Sequence, residues 1–253
     1  MPTQTASDMK TSREIETEAL PIRGRSMHIS RHSVAADHAS QTAPLRLPPV
    51  ERGALLVPRL SLRVFAKDEE VFAEGDRAGC IYRIVTGAAR TTRLLSDGRR
   101  QITAFHLAGD IFGLESDPEH RFCAESLGKS TIGTYRHCSL DTLAMVDAHL
   151  AGQIMRASIV ALGRAQDHML LLGRQSAIEK IATFLLDLSG RFPNDEQIDL
   201  PMSRIDIADH LGMTIATVSR ALTLLVRDEI IAIPAHRRSI TIRNRAALKR
   251  LNS

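Results

Sequence analysis

The segment from Asp206 to Glu229, DIADHLGMTIATVSRALTLLVRDE, leaves few folds open to the chain around it. Ser203 stands where a short helix needs an N-cap, because its hydroxyl can accept from an otherwise orphaned N–H of the first turn. Leu211 closes that helix, and Gly212 supplies the left-handed backbone that a tight exit requires. Thr214 then caps a second helix, in which Val218, Leu222 and Leu225 recur at spacings of four and three residues and so form one buried stripe. Ala216, Ser219 and Arg220 fall together on another, outward face.

Two helices joined by a three-residue turn containing glycine make a helix-turn-helix, an arrangement that lets the start of the second helix enter a DNA major groove. In that position Arg220 suits a bidentate pair with guanine O6 and N7, and Ser219 is a less selective partner for a base edge. Thr214 and Thr217, at the start of the same helix, are the candidates for DNA backbone contact. A solvated helix face is the competing reading of Ser219 and Arg220, and the flanking sequence argues against it. IIAI (Ile230 to Ile233) and SITI (Ser239 to Ile242) read as two short strands around PAHRR, the wing of a winged helix, with Arg237 and Arg238 suited to phosphate. From Pro201 to Ser253 there are nine Lys/Arg against four Asp/Glu, whereas residues 1–200 hold 24 against 25, so the positive excess sits in the candidate DNA-binding segment.

At 253 residues the chain has room for two modest domains and a tail, each domain able to bury its own core. No apolar run is long enough to span a bilayer, and the expected location is the cytoplasm. Residues 1–50, rich in Thr, Ser, Arg, His and Pro, read as a disordered tail. Cys80, Cys123 and Cys138 form no C-x-x-C pair, which suits small buried apolar residues better than a disulfide framework or a metal site. No Ser/His/Asp set, metal spacing or phosphate loop points to catalysis.

From about Leu55 to Arg136 short β runs alternate with turns: VFAEGD, CIYRIVTG, then AARTTRLL and RQITAFH around Ser96-Asp97-Gly98, where Asp-Gly fits a primed hairpin turn. This spacing predicts a β-barrel or sandwich over residues 51–138. Residues 139–173 read as one long helix. In it Ala151, Met155, Ser158, Leu162, Ala165, Met169 and Leu172 step by four and three in a heptad seam along which two copies can pair. A separate stripe with Ile154, Ala161 and Leu171 is expected to pack on the β domain. Gly173 and Arg174 make a hinge before residues 174–253, where Ser176 and Glu179 have capping-box spacing.

That order of parts, with FAEGDRAGCIYRIVTGAAR, LLSDGRRQITAFHLAGDIFGLE, RAQDHMLLLGR and LPMSRIDIADHLGMTIATVSRAL, resembles the superfamily of the catabolite activator protein and the fumarate–nitrate reduction regulator, CRP/FNR, most closely its FixK-type branch. The resemblance covers about residues 55–245. It implies an α+β chain with a cyclic-nucleotide-binding-like β-roll, a long dimerisation helix and a C-terminal winged helix-turn-helix. It further implies a homodimeric transcription regulator, an activator, of low-oxygen or nitrogen-oxide respiration genes. Its partners would be double-stranded DNA at palindromic TTGAT-like sites and RNA polymerase.

Departures from the family narrow the input. Residues 1–79 contain no cysteine and the position of the family's internal cluster ligand is Gly133, so an iron–sulfur cluster of that kind is not expected. In EHRFCAES, Arg121 is followed by Phe122 and Cys123 where cyclic-AMP binders carry a small hydroxyl residue and alanine, which points to Arg121 as an ion-pair partner rather than a nucleotide ligand. No cofactor is expected. The alternative is a haem- or other ligand-gated sensor of the same fold, with His106, His120 or His137 as axial candidates. Most of the FixK branch has Glu where this chain has Ala216, which removes an acceptor for a base amine.

Overall fold

In the computed structural model of the chain, the described residues are 60–251, without 116, 137–144, 146, 175, 193, 195 and 235–237. Eight short strands come first: β1 Ser61–Phe65, β2 Glu70–Phe72, β3 Cys80–Thr86, β4 Ala88–Leu94, β5 Arg100–Leu107, β6 Ile111–Phe112, β7 Cys123–Ser126 and β8 Ser130–Arg136. They form two antiparallel four-stranded sheets, ordered β1-β8-β3-β6 and β2-β7-β4-β5. Phe65, Ile84, Phe112 and Ile132 of the first sheet meet Phe72, Ala89 and Ala124 of the second in a dry interior, the two-sheet packing expected from the strand spacing and the β-roll that the family resemblance implies.

The β4–β5 hairpin turns as a three-residue loop and not as the two-residue primed turn expected from Asp97-Gly98. Gly98 alone is left-handed (φ 82°), Leu95 N donates to Arg99 O at 2.8 Å, and the Asp97 carboxylate accepts from Arg99 N. A type I turn closed by one left-handed glycine is the next commonest hairpin connection. Further along, Thr91 pairs with Ala104 and Thr92 with Ile102, so Thr103 is an extra residue. That bulge lets Ile102, Phe105 and Leu107 all be buried although strict alternation would separate Ile102 from the other two.

Helix α1, Ala148–Gly173, is capped by the Asp147 carboxylate, which accepts from Leu150 N at 2.9 Å. The expected start near residue 139 lies outside the described residues. Leu150 and Ile154 pack on Ile81, with Ile111, Leu114 and Tyr135 around them. Ile154 and Leu171 are buried as the second stripe requires; Ala161 is exposed instead, because it borders a cleft of about 1230 Å³ between α1 and the β-roll. Ala151, the first residue of the heptad run, packs against the β-roll rather than continuing the outward seam. Met155, Leu162, Ala165, Met169 and Leu172 are exposed and Ser158 is half-buried, its hydroxyl spent on Ile154 O. Ile159, Val160 and Leu170 are exposed too, so the apolar face is wider than a two-position seam.

The helix ends at Gly173, where Arg174 turns extended (φ −68°, ψ 143°). Helix α2, Ala177–Ser189, follows with Ser176 as N-cap. Then come β9 Gln197–Asp199, α3 Arg204–Leu211, α4 Ile215–Arg227, β10 Ile231–Ala232, β11 Ser239–Ile242 and α5 Arg245–Arg250. Strand β11 sits between β10 and β9, so the wing is a three-stranded sheet. Strand β9 has no counterpart in the sequence reading, because three residues beyond a charged loop carry too little periodicity to register.

The β-roll buries its own core between its two sheets, but the second core is not confined to the back half of the chain. One buried cluster runs from Ile102, Phe105 and Leu107 of β5 through Leu171 of α1 to Phe184, Leu185, Ile207, Leu211, Val218 and Leu225. The back half of the chain therefore shares its interior with one strand of the β-roll.

Candidate nucleic-acid interface

Helices α3 and α4 form as their caps dictate. Ser203 and Asp206 make a reciprocal capping box: Ser203 N donates to the Asp206 carboxylate at 2.8 Å and Asp206 N to the Ser203 hydroxyl at 3.2 Å. Gly212 is left-handed at φ 62°, which turns the chain out of α3 within one residue. Thr214 caps α4 by accepting from Thr217 N at 3.2 Å, and the two threonine hydroxyls lie 2.9 Å apart. Val218, Ala221, Leu222 and Leu225 are buried, which turns the remaining arc of α4 outward.

On that arc Ala216 and Arg220 are exposed and Ser219 is half-buried, so the three expected base-contact residues share one accessible surface at the start of the helix. Arg220 makes no ion pair with any described residue, which leaves its planar fork open to a bidentate acceptor. Thr214 is exposed and Thr217 half-buried beside them. Arg237 lies outside the described residues. Arg238 is exposed, but it borders a cleft of about 330 Å³ with Lys67, Arg90 and Asp206, between the motif and the β-roll.

The side of the motif against the β-roll carries an ionic network that the sequence reading missed. Arg90, 7% exposed, reaches Asp206 at 2.9 Å, Glu125 at 2.6 Å and Asp68 at 3.1 Å. Arg100 reaches Asp206 at 2.9 Å and Asp209 at 2.8 Å. Burial opposes ionisation of Asp206, but the Ser203 donors and the two guanidinium groups outweigh it and hold its carboxyl below the ordinary carboxylate range. At the other end of α3, His210 Nδ1 donates to Ile102 O at 3.0 Å; its own carbonyl accepts from Gln101 Nε2 at 3.2 Å and from His168 Nε2 at 2.9 Å. The His168 and His210 rings stack with centroids 4.0 Å apart. Burial pushes the His210 imidazole down to about 3, so it is neutral at ordinary pH. The signal that was available is Arg90 itself, a lone arginine inside the strand AARTT between small residues.

The cleft beside α1 is bordered by both Arg121 and Phe122. Arg121 is 62% exposed and its guanidinium lies 4.0 Å from Asp117, the ion pair expected of it, while Phe122 borders the cleft where a hydroxyl would serve a phosphate. At the position of the family's internal cluster ligand, a β-carbon on Gly133 would run into Leu60. His120 is buried, stacked on Phe72 at 3.7 Å and bonded through Nδ1 to Glu115 at 3.0 Å; His106 stacks on Phe112 at 4.6 Å and lies 3.3 Å from the Thr91 hydroxyl. His137 and Cys138 lie outside the described residues. Cys80 and Cys123 are half-buried rather than fully buried as expected, since each sits at a sheet end; the Cys123 sulfur accepts from Glu74 N. Among the described residues no group of three metal-ligating side chains converges, and no helix is long and apolar enough to cross a membrane.

Residues 62–144 match the cyclic nucleotide-binding domain family and residues 179–251 the Crp-like helix-turn-helix domain family. The nitrogen fixation regulation protein FixK of Azorhizobium caulinodans is 43% identical over 195 residues, 75% of this chain and 78% of that protein. FixK of Rhizobium meliloti is 40% identical over 194 residues, 77% and 88% of the two chains. Among solved structures, FixK2 from Bradyrhizobium japonicum superposes with a TM-score of 0.71 at 44% identity, over 77% of this chain and 98% of that one.

Proposed function

Because the chain belongs to the CRP/FNR superfamily of transcription regulators, in its FixK-type branch, we propose that it binds a two-fold symmetric, TTGAT-like DNA site as a homodimer in the cytoplasm. Arg220 reads guanine, Ser219 supports it, and Ala216 faces the base pair that a glutamate reads elsewhere in the branch. Thr214, Thr217, Arg237 and Arg238 contact the DNA backbone. The observation that carries this reading is the exposed arc of Ala216, Ser219 and Arg220 on a helix whose opposite side is fully buried. The names of the FixK relatives support a role at genes of nitrogen fixation; a role at genes of low-oxygen or nitrogen-oxide respiration and promoter activation through RNA polymerase are part of the same reading. Met155, Ser158, Leu162, Ala165, Met169 and Leu172 form the dimer contact, supported by the apolar side chains that α1 leaves exposed.

The family is not enzymatic, and its FixK-type relatives do not favour the ligand-gated alternative. Selection of bound duplexes from a random pool, followed by gel-shift titration against nonspecific competitor, tests the proposal. A two-fold symmetric consensus containing guanine supports it; equal affinity for selected and random DNA overturns it.

A further inference from the structure

Helix α3 is fastened at both ends. At its first turn Asp206 takes Arg90 and Arg100, each at 2.9 Å. At its last turn His210 is held by Ile102, Gln101 and His168. Arg100, Gln101 and Ile102 are successive residues of β5, and His168 belongs to α1. One contact would fix a point on the helix. Two, separated by four residues or about 6 Å along the axis, also fix its direction. Helix α4 packs on α3 through the shared core of Ile207, Leu211, Val218 and Leu222, so it inherits that direction. The guanidinium of Arg90 and the carboxylate of Asp206 are both more than nine-tenths buried, and separating them would strand charge away from water.

We infer that Arg90 and Arg100 are positioning residues for half-site spacing: by tying α3 to β4 and β5 they set how far, and at what angle, each recognition helix stands from α1. This rests on the proposed dimer. If α1 lies along the two-fold axis, a rigid link from α1 through the β-roll to α4 fixes the separation of the two recognition helices. A dimeric helix-turn-helix protein with a fixed separation accepts one half-site spacing, because each added base pair moves a half-site by roughly 3.4 Å and rotates it by about 34°. Neither arginine belongs to the motif that would meet the bases, so their effect is on geometry and not on base preference.

The full chain is tested on a duplex bearing the selected two half-sites, on duplexes with one base pair added or removed between them, and on a single half-site. Arg100→Glu, Asp209→Arg and the double variant are compared with the original chain, after thermal melting shows that each is folded. Arg100 serves better than Arg90 because its side chain is 31% exposed and tolerates reversal of charge. The original chain should prefer one spacing by about tenfold or more. Arg100→Glu should cut that preference to about threefold or less with single half-site affinity unchanged, and the double variant should restore part of it, since the exchanged pair at 100 and 209 is re-formed while Asp206 still faces a like charge. An Arg100→Glu chain that discriminates spacings as the original does overturns the inference, as does a folded double variant that discriminates no better than Arg100→Glu alone. An equal loss on the single half-site also overturns it, by showing damage to the motif itself. If the original chain binds one half-site as tightly as two, the dimer reading fails first and the inference with it.

Discussion

Arg90 and Asp206, which are 116 residues apart in sequence, form an ion pair of 2.9 Å in which both side chains are less than one-tenth exposed. Arg90 comes from the middle of β4, and Asp206 is the residue that closes the capping box of α3. One carboxylate therefore both starts the first helix of the motif and docks it on the β-roll.

Arg90→Leu should destabilise the chain strongly, by about 3 kcal/mol, because the buried Asp206 carboxylate loses a partner away from water and Glu125 loses the same partner at the edge of the network. Arg121→Ala, which touches a solvent-exposed ion pair of 4.0 Å, should stay within about 0.5 kcal/mol. Urea unfolding of both variants checks this. Similar midpoints would mean that the Arg90 network adds nothing net to stability.

Arg220→Ala should lose sequence discrimination more than nonspecific affinity. A bidentate guanine pair contributes roughly 1–3 kcal/mol, whereas phosphate contacts survive the change. Specific and random duplexes compared at one salt concentration give the answer, and equal weakening on both would place Arg220 on phosphate only.

Ala216→Glu should sharpen preference at one symmetric position of each half-site by roughly 1–3 kcal/mol, since it supplies an acceptor for a cytosine or adenine amine. A base-by-base affinity profile of both proteins measures it. Profiles that coincide everywhere would show that residue 216 does not face the groove.

Leu162, 61% exposed on α1, should tolerate a charge in the single chain but not at a two-fold contact. Leu162→Glu should yield folded monomers with greatly weakened affinity for a two-half-site duplex. Sedimentation that shows an unchanged dimer would refute the heptad register.

Stability should fall as the pH is lowered from about 6.5 toward 4. Burial pushes His210 down to about 3 and His106 down to about 4, the latter against the opposing pull of Asp110 and with the help of Arg191 and Arg164. His168 is lowered in the same direction. In this window the unfolded chain takes up protons that the folded chain refuses, so the stabilisation is complete above the unfolded pKa and declines below it, by about 2 kcal/mol for each of His210 and His106 at pH 5. Asp206 and Asp110, held below the ordinary carboxylate range, stay charged there and add loss only at still lower pH. Melting temperatures across pH 7.5 to 4.5 test this, and His106→Gln should flatten the slope. A flat profile for the original chain would show that these imidazoles are open to protons.

The motif was legible from the sequence because everything that builds it is local. Ser203, Gly212 and Thr214 act within one turn of their own positions, and the stripe through Val218, Leu222 and Leu225 repeats within a single helix. The strands of the β-roll were legible for the same reason, through their turn glycines, although the hairpin at Gly98 closes with one more residue than its Asp-Gly pair indicated. How the parts sit together was decided only in the tertiary structure. The bulge at Thr103 turns Ile102 and Phe105 toward one interior, which β5 shares with the back half of the chain. Arg90 then meets Asp206 across 116 residues, and His210 meets Ile102 across 108 and His168 across 42. Charged and aromatic side chains at such separations leave no periodic trace in a chain; their partners are set by the backbone path that brings them within a hydrogen bond.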